Sequence, residues 1–332
     1  MAKILITGGA GFIGSHIVRK LVELGHEIVI LDAFEQYSPP LTGQYSKYIK
    51  LRFQGLENSI TFERGSTTNQ EIISRIIKKH QPTRVIHLAA IPVAEISEKN
   101  IYESISNTCL GTANLLSAVE EYSLVERFVY TSSSMVYGNF LFDKITEDHP
   151  LTPVNIYGAT KLFGEHLTKI AGIRSNLDYT IIRPSAVYGP TDLNRRVTQI
   201  FVENAVLKKP IKLFNNGEEK LDFTYVEDLA DGFVLATFEP KAQNETFNIT
   251  FGEARSLLDF AMILKSHFQD LQIEYVNKDA GFKRPKRGTL DPTKAKNLLG
   301  YNPKHNLELG LKRYIEFMKE NLVEKQNNLV KN

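Results

Sequence analysis

Short apolar runs alternate with longer amphipathic segments along the first half of the chain. The runs are rich in β-branched residues, have the length of buried strands, and cover residues 4–6, 28–31, 60–62, 85–88, 128–130 and 180–182. Between them, apolar positions at helical spacing predict helices over about residues 12–24, 69–80, 102–122 and 156–172. Continuous apolar strands separated by helices are typical of βαβ units, so the pattern predicts an α/β fold with a doubly wound parallel sheet.

A glycine-rich turn follows the first predicted strand. Gly9, Gly11 and Gly14 match the dinucleotide-binding fingerprint, and Gly8, Gly11 and Gly14 match a related three-residue spacing. The turn lies between a strand and an amphipathic helix, where a pyrophosphate can approach backbone amides at a helix N-terminus. The sequence therefore predicts a Rossmann-type nucleotide site at the carboxyl end of the first strand.

Asp32, at the end of the second predicted strand, indicates which nucleotide binds. Its carboxylate can accept hydrogen bonds from the adenosine ribose hydroxyls and would repel a 2′-phosphate. The next residues, Ala33, Phe34 and Glu35, include no arginine that could pair with such a phosphate. We therefore predict that the cofactor is NAD rather than NADP. A turn aspartate without a ligand is the alternative interpretation.

The regular alternation ends after residue 183, which suggests two parts of the chain. We predict a dinucleotide-binding domain over residues 1–183, to which residues 224–250 return through a helix at about 225–238. Residues 184–223 and 251–320 are predicted to form a smaller, interleaved α/β lobe that binds the substrate. The polar residues 321–332 are expected to be frayed.

Composition narrows the class of protein. With 332 residues, of which 42% are hydrophobic and 23% charged, the chain is typical of a globular protein with two lobes. A formal net charge of +2 provides no basic field for nucleic acid or an anionic membrane, and the apolar runs are too short to span a bilayer. Cys109, the single cysteine, lies in an apolar helical stretch and is interpreted as a core thiol rather than a reactive one. We predict a cytoplasmic enzyme without a metal.

Tyr157 and Lys161 are four residues apart at the start of a predicted helix, which places both side chains on one face. A tyrosine with a solution pKa of about 10 is a weak base at neutral pH. A nearby ammonium and the positive nicotinamide ring would favour the phenolate, and the lysine can also bond the nicotinamide ribose. Such pairs also occur by chance on ordinary helices. Beyond a dinucleotide fingerprint, however, this pair predicts a proton-accepting tyrosine assisted by a lysine.

Six stretches of the chain together resemble the extended short-chain dehydrogenase/reductase family of NAD-dependent nucleotide-sugar epimerases and dehydratases, over about residues 2–320. They are Thr-Gly-Gly-Ala-Gly-Phe-Ile-Gly at 7–14, His-Leu-Ala-Ala at 87–90, Thr-Ser-Ser-Ser-Met-Val-Tyr-Gly at 131–138, the Tyr157/Lys161 pair, Arg-Pro-Ser-Ala-Val-Tyr-Gly-Pro at 183–190 and Phe-Thr-Tyr-Val-Glu-Asp-Leu-Ala at 223–230. The resemblance implies an NAD-dependent enzyme that acts on a nucleotide sugar. It also implies a homodimer, in which the helices at 102–122 and 156–172 pack into a four-helix bundle.

The resemblance further assigns catalytic and cofactor residues. Ser133 would bond the sugar oxygen and relay its proton toward Tyr157, with Lys161 as the third catalytic residue. A strand-end turn with solvated hydroxyls, above all at Ser132, is the alternative for the serine run. Asn107 would be a structural brace. The cofactor would contact Gly8, Gly11, Phe12, Ile13, Gly14, Asp32, Ser66, Thr67, Leu88, Ala89, Ala90, Thr131, Tyr157, Lys161 and Pro184.

The substrate residues follow from the same resemblance. The substrate would contact Ser133, Arg195, Arg196, Lys212, Phe214, Arg284 and Arg287. Lys212 and Phe214 would flank uracil or another base. Arg284 and Arg287 would bind the pyrophosphate, since planar guanidinium groups suit paired oxygens. A solvated basic turn from Lys283 to Arg287 is the alternative.

The chain departs from the family's pattern at several positions. Ser66 stands where the family often has an acid near the adenine, and Pro92 replaces a lysine found in some hexose epimerases. Ala186 replaces the asparagine of an Arg-x-x-Asn stretch. Leu221 replaces an arginine, with Lys220 beside it. We therefore expect the substrate pocket to differ from that of the best-known galactose epimerases.

Ser134 and Met135 bear on the reaction that follows the first oxidation. By resemblance, 4,6-dehydratases have an acid and a base beside the catalytic serine or threonine, and UDP-glucuronate decarboxylases have a glutamate there. An unassisted hydroxyl and a thioether cannot exchange a proton at neutral pH, and Glu103 and Glu147 are the conceivable acids from elsewhere. We therefore predict C4 epimerisation of a UDP-sugar by oxidation and re-reduction. The alternatives are a redox or isomerisation step on an unsaturated or 4-keto UDP-sugar intermediate in deoxysugar or nonulosonic acid synthesis, and an NAD-binding sensor without turnover.

Overall fold

The computed structural model describes residues 1–37, 44–277 and 284–322. Its strands are β1 (Lys3–Thr7), β2 (Glu27–Asp32), β3 (Ile60–Arg64), β4 (Arg84–His87), β5 (Arg127–Thr131), β6 (Lys144–Ile145), β7 (Asp178–Arg183), β8 (Val187–Tyr188), β9 (Ile211–Phe214), β10 (Lys220–Asp222), β11 (Thr224–Tyr225), β12 (Glu245–Asn248), β13 (Ala254–Ser256), β14 (Ile273–Val276) and β15 (Thr289–Leu290). Its helices are α1 (Phe12–Glu23), α2 (Gln44–Phe53), α3 (Gln70–His80), α4 (Ala94–Lys99), α5 (Ile101–Ser104), α6 (Gly111–Tyr122), α7 (Ile156–Ser175), α8 (Val197–Val206), α9 (Val226–Phe238), α10 (Leu257–His267), α11 (Thr293–Leu299) and α12 (Leu307–Leu322).

Seven strands form one parallel sheet in the order β12-β7-β5-β4-β1-β2-β3. The strand order reverses at β1, because β2 and β3 lie on one side of it and the later strands lie on the other. The predicted doubly wound α/β sheet is thus confirmed. A sheet of this topology leaves a crevice for ligands at the carboxyl ends of the strands where the order reverses.

The central strands are apolar along their whole length because both faces of the sheet are covered. In β1, Ile4 and Ile6 pack with α1 and α9 on one face, whereas Leu5 packs with α3 and α6 on the other. All three side chains are fully buried. Since successive side chains of a strand point to opposite faces, a strand covered on both sides needs an unbroken apolar run.

The second half of the chain contributes to the sheet and also builds a core of its own. Helix α9 packs against α1, and β12 pairs in parallel with β7 at the edge of the sheet. A separate apolar cluster lies between α8, α10 and α12, where Phe260 and Leu311 are fully buried. The residues of this second core come from both sides of α9 in the sequence.

Several helices differ from the expectations. The helix predicted over residues 102–122 is interrupted by a π-helical turn at Ile105–Leu110. Helix α2 was not predicted because its buried face includes the polar residues Gln44 and Arg52, and α4 was missed because it has only six residues. Residues 321 and 322, expected in a frayed tail, end α12, while 323–332 lie outside the described residues. Among the described helices, none is both long and apolar enough to cross a membrane.

Candidate active site

A cleft of about 1380 Å³ opens at the carboxyl ends of the central strands. All residues assigned above to catalysis, cofactor or substrate line this cleft: Gly8, Gly11, Phe12, Ile13, Gly14, Asp32, Ser66, Thr67, Leu88, Ala89, Ala90, Thr131, Ser133, Tyr157, Lys161, Pro184, Arg195, Arg196, Lys212, Phe214, Arg284 and Arg287. Gly9 instead packs behind the turn, where a Cβ would lie 3.0 Å from the Ile30 side chain. The fold therefore brings these distant positions to one place.

The glycine turn between β1 and α1 leaves the backbone open to a ligand. Gly8 has a φ of +70°, and a Cβ there would lie 2.8 Å from Ala89 N. A Cβ at Gly14 would lie 2.5 Å from Gly8 O. Position 8 requires glycine because its backbone conformation is left-handed. Position 14 requires glycine because the helix and the turn approach each other closely there. Gly11, the N-cap of α1, has no side chain to occupy the first helical amides, which suits an incoming pyrophosphate.

Asp32 is the last residue of β2, and its carboxylate accepts hydrogen bonds from the loops that follow β1 and β2. Its Oδ2 accepts a hydrogen bond from Ala10 N at 2.9 Å, and its Oδ1 accepts one from Phe34 N at 2.8 Å. Burial raises the pKa of Asp32, whereas these two bonds and the charge of Arg52 act to lower it. The buried Arg52 donates to Ala10 O at 2.7 Å and to Thr191 O at 2.6 Å. The position of this cation on α2, a helix not predicted from the sequence, gave no signal that it lies near Asp32.

We expect Asp32→Asn to weaken NAD binding about tenfold and to reduce the discrimination against NADP. The substitution removes the carboxylate that repels a 2′-phosphate, and it leaves the positive charge of Arg52 nearby. Titration of cofactor-free protein with each dinucleotide measures both effects. Equal affinity of the unaltered protein for NAD and NADP would contradict the role given to Asp32.

Tyr157 and Lys161 lie in the first two turns of α7. Lys161 is only 3% exposed, donates from Nζ to Thr131 O at 2.8 Å, and lies 6.0 Å from the centre of the Tyr157 ring. Burial lowers the pKa of Lys161 to about 8. Burial raises the pKa of Tyr157, while the charge of Arg196 and a hydrogen bond with Ser133 act to lower it. Arg196 is thus a cation beside the tyrosine that helical spacing could not reveal.

Two side chains hold the start of α7. Asn155, the N-cap residue, accepts a hydrogen bond from Gly158 N at 2.8 Å, and Glu98 of α4 accepts one from Ile156 N at 2.5 Å. Amides in the first turn of a helix have no partner within the helix, so these carbonyl and carboxylate oxygens satisfy them. The two bonds fix the backbone on both sides of Tyr157. Neither bond could be predicted from the sequence alone.

The hydroxyl of Thr131, at the end of β5, is buried and has no hydrogen-bond partner among the described residues. A buried hydroxyl left without a partner costs free energy, so its position in the cleft wall suits a polar ligand. Ser133, two residues on, accepts a hydrogen bond from Met135 N at 3.2 Å through Oγ. Together with the glycine turn and Asp32, these groups fit a dinucleotide.

A buried ionic network lies beside Ser133, the serine expected to be catalytic. Glu165 of α7 accepts hydrogen bonds from Arg183 Nε at 2.8 Å, from Arg183 Nη2 at 2.7 Å and from Ser132 Oγ at 2.5 Å. Arg183 also donates to Tyr137 OH at 2.9 Å. The expectation of a solvated Ser132 is therefore wrong, because this hydroxyl is buried against a carboxylate. The network joins the ends of β5 and β7 to α7, and so it fixes Ser133 relative to Tyr157.

Arg195 and Arg196 are adjacent in sequence but differ in environment. Arg195 forms an ion pair with the buried carboxylate of Glu203 on α8. Arg196 Nη2 donates to Pro92 O at 3.1 Å, and its Nη1 lies 4.0 Å from Asp192 Oδ2. Arg196 therefore places a cation beside Pro92 in the cleft wall.

Lys212, Phe214, Arg284 and Arg287 also line the cleft. Arg284 Nη1 donates to Glu219 Oε2 at 2.9 Å, and Arg287 Nη2 donates to Glu219 Oε1 at 3.0 Å. Both arginines are therefore paired with a carboxylate. The side chain of Arg287 is 12% exposed, whereas Arg284 is exposed, so the alternative of a solvated turn still describes Arg284. Lys283, the first residue of that alternative, lies outside the described residues.

Asn107 lies in the π-helical turn and joins two walls of the cleft. Its Nδ2 donates to Tyr37 OH at 2.9 Å, and this phenol donates in turn to Glu35 Oε2 at 2.7 Å. Tyr37 follows β2, whereas the π turn follows β4, and β1 lies between these strands in the sheet. The bond therefore bridges loops on either side of the glycine turn.

Comparison with known proteins agrees with this geometry. Residues 4–250 match the model of the NAD dependent epimerase/dehydratase family. The chain is 31% identical to a putative UDP-glucose 4-epimerase of Methanocaldococcus jannaschii, over 96% of this chain and 99% of that protein. It is similar to the crystal structure of the Thermotoga maritima UDP-glucose 4-epimerase with UDP-glucose, at 30% identity and a TM-score of 0.86, over 96% of this chain and 99% of that one. It is also similar to the Bacillus cereus UDP-glucuronic acid 4-epimerase in complex with UDP-glucuronic acid and NAD, at 29% identity, a TM-score of 0.86 and the same coverage.

The expected family, the enzyme class and the cofactor NAD are thereby confirmed. The family match covers the whole sheet, including β12, and it contains the glycine turn, Asp32 and the Tyr157–Lys161 pair. The chain belongs to the NAD-dependent epimerase/dehydratase family.

Proposed function

We propose that this enzyme is a UDP-sugar 4-epimerase. One observation carries the proposal: Ser133, Tyr157 and Lys161 meet in the cofactor cleft, while the adjacent Ser134 and Met135 offer neither an acid nor a base. The first three residues supply the groups needed for oxidation at C4. A subsequent elimination would also need an acid and a base, which Ser134 and Met135 do not supply. The relatives named as UDP-sugar 4-epimerases support the choice of a UDP-sugar.

Ser133 and Tyr157 act on the C4 hydroxyl group of the sugar. The Ser133 hydroxyl bonds the C4 oxygen, and Tyr157 accepts its proton. Lys161, held by Thr131 O, is placed to bond the nicotinamide ribose, while Arg196 favours the phenolate form of Tyr157. When bound, NAD supplies the hydride acceptor and afterwards the hydride donor. Rotation of the 4-keto sugar in the cleft would present the opposite face of C4 to the returning hydride, and Tyr157 would return its proton to the C4 oxygen, so that C4 is inverted.

The nucleotide half of the substrate is assigned to four other residues of the cleft. Lys212 and Phe214 flank the base, and the guanidinium groups of Arg284 and Arg287 bind the pyrophosphate. These four residues belong to the segments 184–223 and 251–320, which we propose as the substrate lobe. The proposed dinucleotide domain consists of residues 1–183 and 224–250.

A 4,6-dehydratase needs one group to take the C5 proton and another to protonate the departing C6 hydroxyl. The Met135 thioether has no proton to donate, and an unassisted Ser134 hydroxyl is too weak an acid or base near neutral pH. Glu147 accepts a hydrogen bond from Asn248 N at 2.7 Å, and neither Glu147 nor Glu103 lines the described cleft. These positions favour epimerisation over dehydration.

Products formed in deuterated water test the proposed reaction. NAD-loaded protein is incubated with UDP-glucose, UDP-glucuronic acid and UDP-N-acetylglucosamine, and the products are followed by mass spectrometry and NMR. We expect unchanged mass and inversion at C4 for one of these sugars. Loss of water with deuterium at C5 or C6 would overturn the epimerase. Inertness toward all three would instead favour an unsaturated or 4-keto UDP-sugar as substrate.

We also propose that the enzyme is a homodimer, formed by α5, α6 and α7 with the intervening π turn. Large apolar side chains are exposed along these elements: Ile101, Tyr102, Ile105, Leu110, Phe163, Ile170 and Ile173. Phe163, Ile170 and Ile173 lie on one face of α7 by helical spacing. Two copies of this surface would form a four-helix bundle and remove the apolar area from water.

We expect Ile173→Asp to shift the enzyme from dimer to monomer, because the proposed interface would then bury an unpaired carboxylate from each copy. Sedimentation velocity over a range of protein concentrations measures the change. Ile173 is 84% exposed in the single chain, so the substitution should not disturb the fold. Met262→Asp, an exposed position on α10, is the matched control and should leave the dimer intact. A monomeric unaltered protein would contradict the proposed dimer.

A further inference from the structure

One carboxylate lies between the two arginines that are assigned to the pyrophosphate. Glu219 accepts from Arg284 on one oxygen, at 2.9 Å, and from Arg287 on the other, at 3.0 Å. All three side chains line the cleft. The two positive charges lower the pKa of Glu219 despite its partial burial, so it is ionised at neutral pH. No sequence motif assigns a role to Glu219.

The backbone around Glu219 is held in place. Its carbonyl accepts a hydrogen bond from Leu257 N at 3.0 Å, and the next residue begins β10, which pairs with β13. Arg287 is 12% exposed in its side chain, and its Nε is buried without a partner among the described residues. A guanidinium with such restricted access to water needs a counter-ion, and Glu219 supplies it.

We propose that Glu219 is a built-in counter-ion that competes with the substrate's pyrophosphate for Arg284 and Arg287 and thereby limits the affinity for the nucleotide half. The inference rests on the proposed function, which places the pyrophosphate at these arginines. An arriving pyrophosphate either displaces the carboxylate from the guanidinium groups or binds beside it. In both cases a negative charge of the protein opposes binding, because like charges in a partly desolvated cleft repel each other.

A limited affinity for the nucleotide half is useful in the proposed reaction. Substrate, intermediate and product share the same nucleotide half, so its contacts do not change as C4 is oxidised and reduced again. Interactions of equal strength in the ground state and the transition state lower KM without raising kcat. Extra affinity for the pyrophosphate would therefore slow the release of product without accelerating the chemistry.

Calorimetric titration of NAD-loaded Glu219→Gln with uridine, UMP and UDP tests the proposal. Glutamine keeps the size and one acceptor oxygen but removes the charge. We expect UDP to bind about tenfold more tightly than to the unaltered enzyme, UMP less so, and uridine unchanged. Glu219→Asp, which keeps the charge, should retain nearly the original affinity for UDP. In turnover, Glu219→Gln should lower KM without increasing kcat.

Glu218→Gln is the matched control, because Glu218 is the adjacent exposed carboxylate and does not line the cleft. It should leave the affinity for UDP unchanged. Weaker UDP binding by Glu219→Gln, with uridine binding and thermal stability unchanged, would show that Glu219 positions the arginines and would overturn the proposal. Failure of the unaltered enzyme to bind UDP would overturn the proposed nucleotide site, and the inference with it. A change shared by uridine and UDP would also overturn it, since uridine has no phosphate.

Discussion

Tyr157→Phe is expected to reduce turnover by about 10²–10⁴-fold, with little change in folding or in NAD affinity. The substitution removes only the phenolic oxygen, which is the proposed proton acceptor for the C4 hydroxyl group. Lys161 keeps its bond to Thr131 O, and the glycine turn and Asp32 are untouched, so the cofactor contacts other than that of the Tyr157 hydroxyl remain. Single-turnover formation of NADH from the active UDP-sugar, measured by absorbance, separates the chemical step from binding.

Tyr275→Phe is a matched control, because this tyrosine is exposed on β14 and does not line the cleft. It should leave turnover unchanged. Lys161→Ala should differ from Tyr157→Phe by also weakening NAD binding, since the proposed ribose contact is lost. Near-normal turnover in Tyr157→Phe would mean that the proton acceptor is another group.

The sheet could be predicted because the pattern that identifies a buried strand lies within a few consecutive residues. A strand buried on both faces requires consecutive apolar residues, as in Ile4, Leu5 and Ile6, and each such run was followed by a segment with helical spacing. The glycine turn and Asp32 could be identified for a similar reason. They lie at the carboxyl ends of the first two strands, so their proximity follows from the parallel pairing alone.

Other parts of the site depend on contacts between distant segments, which a single sequence does not specify. Arg52 reaches the glycine turn from α2, Arg196 reaches Pro92 from the loop after β8, and Glu219 meets Arg287, which lies 68 residues further along the chain. Arg52 and Glu219 belong to no motif that marks a site, and Arg196 was assigned to the cleft only through the resemblance. Only the folded chain shows the partners that hold these charges.

The buried ion pair of Glu165 and Arg183 also could not be predicted from the sequence. Its disruption has the largest expected effect on stability. Glu165→Leu leaves Arg183, which is 2% exposed, without its carboxylate partner. The free energy of unfolding should fall by about 3–5 kcal/mol, because an uncompensated charge remains buried. Urea denaturation monitored by circular dichroism measures the loss. Turnover at low temperature should also fall, since Ser132 loses the acceptor that holds the strand end before Ser133.

The double variant Glu165→Leu/Arg183→Met separates the buried charge from the loss of packing. With both charges removed, two apolar side chains of similar size occupy the site, and much of the lost stability should return. The double variant should still be less stable than the unaltered enzyme, because Tyr137 OH loses the hydrogen bond from Arg183. Stability should therefore rank the unaltered enzyme first, the double variant second and Glu165→Leu last. A double variant no more stable than Glu165→Leu would show that the geometry of the network, rather than compensation of the Arg183 charge, accounts for the loss.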